Sequence, residues 1–118
     1  MKHKTINGWT KAEMIARIKK YVPEDRRCMG DHGCAYQNSD GQRCAVGAFF
    51  KYREVPRSMF WFIGTVREMI RYNPEVADAL PLETTALREL QNVHDMYREE
   101  GTRPRQACVN WIEENVED

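Results

Sequence analysis

Residues 34–50 restrict the possible fold more than any other part of this chain, because they combine strand-forming residues, a turn and two cysteines. Their sequence is C-A-Y-Q-N-S-D-G-Q-R-C-A-V-G-A-F-F. Asp40-Gly41 lies between two runs that suit β-strands, and this dipeptide is a strong short-range signal for a hairpin. The pattern therefore predicts a β-hairpin that turns at Asp40 and Gly41.

The length of the turn decides which side chains share a face of this hairpin. A two- or four-residue loop would put Cys34 and Cys44 on opposite faces, whereas a three-residue loop at 39–41 puts them on the same face. We favour the three-residue loop, because it places Tyr36 with the two cysteines and leaves Arg43 on the more polar face. The two cysteines would then lie on a diagonal, about 7 to 8 Å apart at the backbone, which is long for an unstrained disulfide.

Hydrophobic periodicity and capping residues predict about five helices around the hairpin. Thr10, with Glu13 three residues later, has the pattern of a capping box at the start of the first helix, and Pro23 ends it. Gly64 is expected to interrupt or bend the third helix. The predicted helical segments are 10–22, a short buried helix from about 46, 58–72 with a brief second piece at 75–80, 83–99, and about 104–116.

These elements predict a single α+β domain that spans residues 1–118. A small antiparallel sheet, formed by the hairpin, would be covered by about five helices. Residues 1–8 are expected to be flexible.

Composition argues against nucleic acid and membrane as partners. The chain has 18 basic and 18 acidic residues, so no net charge attracts it to either. No apolar segment of a signal peptide follows Met1, and no run is long enough to span a membrane. We therefore expect a cytoplasmic protein, in which the four cysteines are thiols or metal ligands rather than a disulfide framework.

His94 lies within an apolar stripe of the long helix, together with Leu87, Leu90 and Tyr97. The simplest interpretation is a neutral core histidine, held by a hydrogen bond to a backbone carbonyl or a side chain. Two functional interpretations stand beside it, a metal site and a nucleophilic site.

In a metal site, Cys34 and Cys44 would be ligands from one face of the hairpin and His94 a ligand from the helix. Cys28 or His32 would supply the fourth ligand. These side chains suit tetrahedral zinc. Their spacing lacks the short paired C-x2-C motif of zinc ribbons, so we expect no cofactor and keep zinc as the alternative.

In a nucleophilic site, Cys44 would be the nucleophile at a strand-to-helix junction, where a helix N-terminus lowers the pKa of a thiol. His94 would be the base, and Asn92 or Asp95 would orient it. Asp95 follows His94 directly, and successive helical side chains point about 100° apart, so Asp95 is not an obvious orienting carboxylate. The side chains of Asn92, His94 and Asp95 cannot all converge on one point from a single helix.

Common catalytic motifs are missing from the sequence. It contains no Gly-rich phosphate loop, G-x-S-x-G elbow, H-E-x-x-H motif or paired carboxylates, so the common enzyme classes are disfavoured. Its basic residues do not interleave with aromatic residues as a nucleic-acid platform requires. The bulkiest apolar run, residues 59–63, is predicted to pack in the core; an exposed run would instead be the partner surface.

Two short motifs resemble small uncharacterised proteins of bacteria and their phages, which carry a G-x-x-C-A-V-G turn and a later L-Q-x-x-H-D helix. They are residues 34–47, C-A-Y-Q-N-S-D-G-Q-R-C-A-V-G, and residues 87–95, L-R-E-L-Q-N-V-H-D. The resemblance implies a bacterial or phage origin and a cytoplasmic location, but no reaction. It also implies that the two segments meet in space. The motif residues involved are Gly41, Cys44, Gly47, Leu90, Gln91, His94 and Asp95.

The resemblance does not extend to residues 59–80, which are an insertion relative to the pattern. The leading prediction is therefore a small accessory protein that acts by binding a host or phage protein. The resemblance allows a phage gene as well as a bacterial one. No nucleic acid or membrane partner is expected, and a homo-oligomer is left open. The alternative is a thiol- or metal-dependent hydrolase that uses Cys44 and His94.

Overall fold

The computed structural model of the chain describes residues 2–25, 28, 36–62, 64–96 and 102–118. Within this part the fold is mostly helical, with five α-helices, two 3₁₀ helices and two very short strands. The α-helices are α1 (Lys11–Tyr21), α2 (Arg57–Phe60), α3 (Val66–Tyr72), α4 (Thr84–Asp95) and α5 (Pro104–Asn115). The 3₁₀ helices are Gly47–Phe49 and Pro74–Ala79, and the strands are β1 (His3–Lys4) and β2 (Val116–Glu117).

Local sequence signals place several helix ends. The Oγ1 atom of Thr10 accepts the backbone N–H of Glu13 at 3.1 Å, so the predicted start of α1 is confirmed. The predicted interruption near Gly64 is also confirmed, because α2 and α3 are separate helices and Gly64 has a φ of +146° between them. Pro74 opens a short 3₁₀ helix, where its fixed φ suits a first helical position.

The predicted antiparallel hairpin, and with it the α+β class, is wrong. In the described residues the turn has a single antiparallel bridge, between Gln37 and Arg43, and no strand on either side. The only strand pairing there is the parallel pair of β1 and β2, two residues each. Cys34, which the predicted register placed on the same face as Cys44, lies outside the described residues.

The chain leaves the hairpin pattern directly after the bridge. The carbonyl of Cys44 accepts the N–H of Ala48 at 3.0 Å, so a helical turn begins where the second strand would continue. The N–H groups of Gln37 and Arg43 point away from each other, as in any non-hydrogen-bonded antiparallel pair, and donate at 2.9 Å to the carbonyls of Phe60 and Tyr21, the last residues of α2 and α1. The Asp40-Gly41 turn itself forms, with Gly41 at a φ of +79°.

Asn38 holds this turn together. Its Oδ1 atom accepts the N–H groups of Asp40 and Gln42, each at 3.0 Å, and its carbonyl accepts the N–H of Gly41 at 3.0 Å. Such bonds from an asparagine side chain to the backbone two residues later are a common way to close a turn. The turn is therefore defined locally, although its flanks are not strands.

The N-terminal segment is hydrogen-bonded to two distant parts of the chain. β1 pairs in parallel with β2, and the N–H of Thr5 continues this pairing by donating to the carbonyl of Glu117 at 3.0 Å. The side-chain amide of Asn7 donates to the carbonyls of Ala77 and Leu80, both at 2.9 Å. These bonds join the segment to the C-terminus and to the end of the second 3₁₀ helix.

The core lies where α5 packs against both α1 and α4. α1 also contacts the 3₁₀ helix Gly47–Phe49, and α3 contacts α4. The largest fully buried apolar side chains are Phe49, Phe50, Phe60, Met14, Ile18, Met69, Leu80, Leu82, Leu87, Leu90 and Ile112. Among the helices of the described residues, none combines the length and apolar character needed to cross a membrane.

Cys108 of α5 is fully buried in this core. Burial raises the pKa of its thiol to about 12, and the nearby carboxylate of Asp95 adds to the shift. A thiol whose pKa is higher in the folded than in the unfolded state stabilises the fold below the unfolded value, near 9, and this contribution is lost as pH rises towards 12.

We predict that the alkaline loss of stability depends on Cys108. In reductant, the free energy of unfolding should fall by about 1.4 kcal/mol per pH unit above pH 9, from this thiol alone. Cys108→Ala should lose roughly 1 kcal/mol at neutral pH but lack this part of the slope. Urea denaturation of both proteins from pH 7 to pH 11 measures the difference, and parallel slopes would show that Cys108 is not responsible.

Candidate functional site

A pocket of about 190 Å³ lies between the 36–44 turn and α4, and we call it the Cys44 pocket. One wall is a face of α4, and the opposite wall is the segment that leads into α3. Its lining residues are Tyr36, Cys44, Gly64, Thr65, Val66, Arg88, Gln91, Asn92 and Asp95. The volume is below the range of about 300 to 1,000 Å³ that is usual for small-molecule sites.

Cys44 is positioned by the start of the first 3₁₀ helix. Its Sγ atom accepts the N–H of Gly47 at 3.3 Å, and its own N–H donates to the carbonyl of Tyr36 at 3.3 Å. The residue is 2% exposed, so it reaches the pocket from the protein interior.

A chain of hydrogen bonds joins this turn to α4. The N–H of Val46 donates to Oε1 of Gln91 at 3.1 Å, and Nε2 of Gln91 donates to Oδ1 of Asp95 at 3.0 Å. Gln91 and Asp95 are four residues apart and therefore lie on one face of the helix. The prediction that the Cys44–Gly47 segment meets the L-Q-x-x-H-D helix is confirmed by this contact.

His94 is fully buried and uses both ring nitrogens. Its Nε2 atom accepts the backbone N–H of Cys28 at 3.0 Å, so the ring proton is on Nδ1, which donates to Oδ1 of Asp95 at 2.9 Å. The prediction of a hydrogen-bonded core histidine is confirmed, although its backbone partner is an N–H group rather than a carbonyl. The expectation that Asp95 does not orient His94 was wrong.

Asp95 can reach the neighbouring ring because it is the last residue of α4. In the middle of a helix, adjacent side chains point about 100° apart, but a flexible carboxylate at the end of the helix can turn back towards the preceding residue. The same oxygen accepts from Gln91, so one carboxylate connects the buried imidazole to the Cys44 pocket.

Cys44 shares its pocket with Asp95 and Gln91, but not with His94. Asp95, Gln91 and Asn92 line the Cys44 pocket, whereas His94 does not. Its imidazole faces Cys28 on one side and Asp95 on the other. A mechanism in which His94 takes a proton from Cys44 would therefore require one of these two hydrogen bonds to break.

Two of the predicted metal ligands, Cys34 and His32, lie outside the described residues. The described residues contain no group of three or more histidine, cysteine or acidic side chains that could hold a metal ion. Burial raises the pKa of the Cys28 thiol to about 11, although a backbone hydrogen bond from Asn38 opposes the shift. Its Sγ atom donates to the carbonyl of Gln42 at 3.4 Å, which is the role of a thiol rather than a thiolate ligand.

Two wider depressions lie elsewhere and have a different chemistry. One, of about 420 Å³, is lined by Glu24, Asp25, Thr102, Arg103, Arg105 and Gln106. The other, of about 370 Å³, is lined by Asn7, Gly8, Trp9, Glu13, Lys51, Glu54, Glu75, Asp78 and Ala79. Neither lining contains a cysteine or a histidine, so neither matches the predicted catalytic or metal residues.

The described part of the predicted core run, residues 59–62, is divided between the core and the surface, and Ile63 lies outside the described residues. Met59 and Phe60 are 9% and 1% exposed, whereas Trp61 is 56% exposed. Consecutive residues in a helical turn point in different directions, so a short helix cannot bury all of them. The prediction that this run packs in the core therefore holds for Met59 and Phe60 and is wrong for Trp61.

Tyr52 and Tyr72 extend the exposed part of this run, with 60% and 78% of their surface exposed. Tyr52 stacks on Phe60 with ring centroids 5.0 Å apart, and Tyr72 lies 6.0 Å from the ring of the half-buried Phe62. Phe60 and Phe62 flank Trp61 in the sequence, so Tyr52 and Tyr72 each contact a ring next to Trp61 along the chain. We call Tyr52, Trp61, Phe62 and Tyr72 the aromatic surface.

Comparison with protein-family models, curated proteins and solved structures finds no match to this chain.

Proposed function

We propose that this protein is a small accessory protein that acts by binding another protein, and that the aromatic surface is its binding surface. The observation that carries the proposal is the exposure of Tyr52, Trp61 and Tyr72, of which Tyr52 and Tyr72 contact the rings on either side of Trp61 in the sequence. Tryptophan and tyrosine are the residues most enriched at the energetic centres of protein interfaces. Exposed rings grouped in this way indicate an interaction site more often than scattered apolar residues do.

The energetics support this proposal. Each aromatic side chain carries about 150 to 250 Å² of surface, and more than half of the surface of these three is exposed. Covering them completely would contribute roughly 7 to 12 kcal/mol before the cost of association is subtracted. The rings are also supported from below, since Tyr52 stacks on the buried Phe60. A supported ring loses little conformational freedom on binding.

The resemblance to bacterial and phage proteins suggests where the partner is found. We propose a host or phage protein in the bacterial cytoplasm, including the cytoplasm of a phage-infected cell. Homo-oligomer formation through the same surface is a second form of protein binding, and it is distinguished by the mass of the purified protein in solution.

A thiol- or metal-dependent hydrolase that uses Cys44 and His94 has weaker support. Cys44 borders a pocket, but the imidazole of His94 is directed at the backbone of Cys28 and at Asp95. A zinc ion bound by His94 would also have to replace one of these hydrogen bonds. Catalysis at the Cys44 pocket would require the hydrogen bonds of His94 to rearrange. Binding at the aromatic surface requires no such change, because its rings are already exposed.

The binding proposal is tested by capture from extracts of bacterial cells with and without phage infection. The immobilised wild-type protein should recover at least one protein well above the background of the empty matrix. The double variant Trp61→Ser, Tyr72→Ser should recover at least about tenfold less of that protein, because the loss of two central aromatic contacts costs several kcal/mol of binding free energy.

A matched control is Met96→Ser, because Met96 is 74% exposed and lies outside the aromatic surface. This variant should retain capture. Substitutions at exposed positions usually change stability by less than about 0.5 kcal/mol, so thermal unfolding should show that all proteins remain folded. Failure of the wild-type protein to capture any partner, or equal capture by the double variant, would contradict the proposal.

A further inference from the structure

We infer that the partner contacts the aromatic surface with an acidic protein segment, an inference that rests on the proposed function. Four exposed arginines accompany the exposed rings: Arg53, Arg57, Arg67 and Arg71. Within the described residues none of them forms an ion pair. Elsewhere on the surface, Lys51 pairs with Glu13 at 2.9 Å and Arg105 pairs with Glu24 at 2.7 Å.

The arginines are placed beside the rings by the local structure. Arg53 follows Tyr52, and Arg71 precedes Tyr72 at the end of α3. Arg57 is four residues before Trp61, and Arg67 is four residues before Arg71, so each of these pairs lies on one side of its helical turn. Each of the exposed rings Tyr52, Trp61 and Tyr72 therefore has an exposed arginine within four residues of it in the sequence.

Two glutamates lie among these arginines but do not neutralise them. Glu68 is engaged by the N-terminus of α3, where Oε1 accepts the N–H of Thr65 at 3.3 Å and its hydroxyl at 3.1 Å. Glu54 is exposed and forms no ion pair among the described residues. The positive charge of the four arginines is therefore available to a partner. The carboxylates of aspartate and glutamate match the planar guanidinium group, which can bind them through two parallel hydrogen bonds.

Single-stranded nucleic acid also binds to exposed rings and cations, but the observations favour a protein. Proteins that bind single strands usually hold the phosphate backbone in a positively charged groove. None of the four arginines lines any of the three pockets described above. The chain carries equal numbers of basic and acidic residues, and two glutamates interrupt the arginines. A continuous phosphate backbone would place negative charge against Glu54 and Glu68 as well, whereas the separate carboxylates of an acidic protein segment can be placed against the arginines alone.

The inference is tested with the full chain and three labelled probes, followed by fluorescence anisotropy. The probes are a short peptide rich in Glu and Asp with two leucines, the same peptide with every acidic residue replaced by lysine, and an oligothymidylate of similar length. The acidic peptide should bind most tightly. Its dissociation constant should rise about tenfold between about 0.05 and 0.3 M salt, because exposed charges are screened over a shorter distance at higher ionic strength.

Arginine variants connect the result to this surface. The double variant Arg57→Gln, Arg71→Gln should weaken binding of the acidic peptide about five- to tenfold, since each exposed ion pair contributes a modest amount. The control Arg103→Gln should bind as the wild type does, because Arg103 is exposed but outside the aromatic surface.

Three outcomes would overturn the inference: tighter binding of the oligothymidylate, equal binding of the lysine peptide, or no binding of the acidic peptide at low salt. Capture from cell extract distinguishes failure of the acidic-partner inference from failure of the proposed protein-binding function. Capture that needs Trp61 and Tyr72 but not the arginines would overturn the acidic partner alone. Absence of capture by the wild type would contradict the proposed function itself.

Discussion

Replacement of Gly47 by alanine is expected to destabilise the fold by about 3 kcal/mol, close to the upper end for a single methyl group. A Cβ atom at this position would lie 2.1 Å from the carbonyl oxygen of Tyr36 and 2.9 Å from its carbonyl carbon. Both distances are far below van der Waals contact. The clashing atoms belong to the backbone, so no change of side-chain rotamer relieves them.

The surrounding contacts prevent an easy adjustment. The carbonyl of Tyr36 accepts the N–H of Cys44, and the ring of Tyr36 stacks on Phe50 with centroids 5.4 Å apart. The N–H of Gly47 donates to the sulfur of Cys44. A shift that makes room for a methyl group would therefore disturb the turn, the aromatic packing and the Cys44 pocket together. Urea denaturation gives the change in the free energy of unfolding.

Gly41→Ala is the matched control for this substitution. Gly41 has a φ of +79°, and a Cβ atom there would have no heavy atom within 4 Å. An alanine at this position bears only the cost of the left-handed conformation, about 1 to 2 kcal/mol. If Gly47→Ala were no more destabilising than Gly41→Ala, the close approach of Gly47 to Tyr36 would be wrong.

Helix ends were predictable because their signals are local. The hydroxyl of Thr10, the missing N–H of Pro74 and the left-handed conformation of Gly64 each act within a few residues of their own position. The burial of His94 was predictable for a related reason, since the period of a helix determines which residues share a face. The contact between Gln91 and Val46 was indicated by the resemblance rather than by physical reasoning.

The hairpin was not predictable from its turn, because the turn does not determine what its flanks bond to. Asn38 and Gly41 form the expected reverse turn, but directly after the bridge the carbonyl of Cys44 accepts the N–H of Ala48 and the chain enters the first 3₁₀ helix. The early start of this helix, rather than the turn itself, therefore limits the pairing to an isolated bridge on this side. The exposure of Trp61 was missed for a similar reason, since bulk and hydrophobicity do not reveal which residues of a short helix face inward.

Arg43 shows most clearly how far the sequence pattern can mislead. Alternation in the predicted hairpin placed it on the more polar, outward face, yet it is 2% exposed and Ala45 is fully buried. Its Nε atom donates to Oε1 of Gln37 at 2.9 Å, and Nη1 donates to the carbonyls of Phe50 and Gly47 at 2.8 and 3.4 Å. Carbonyl and amide oxygens thus replace the water that a guanidinium group normally binds.

Aromatic rings complete the environment of this buried cation. The guanidinium carbon lies 3.9 Å from the ring centroid of Tyr21 and 5.0 Å from that of Phe60. Burial alone would raise the pKa of Tyr21, but the positive charges of Arg43, Arg17 and Lys20 lower it below its ordinary value. Arg43 therefore joins the turn, the first 3₁₀ helix and the end of α1.

Arg43→Met should destabilise the protein by about 3 kcal/mol, because it keeps most of the volume but removes three hydrogen bonds and the cation above Tyr21. Arg17→Met is the matched control. Arg17 donates to the carbonyls of Ala48 and Phe50 at 2.7 and 2.8 Å, but it is half-buried, so water can replace these bonds and the loss should be about 1 kcal/mol.

A second measurement separates the charge of Arg43 from its packing. The pKa of Tyr21, followed by NMR of its ring carbons, should rise in Arg43→Met, because the first of the cations that lower it is removed. Arg43→Lys should keep part of that effect but lose the fork of donors, and its stability should lie between those of the wild type and Arg43→Met. Equal stability of Arg43→Met and Arg17→Met, with an unchanged pKa of Tyr21, would show that Arg43 does not organise this region.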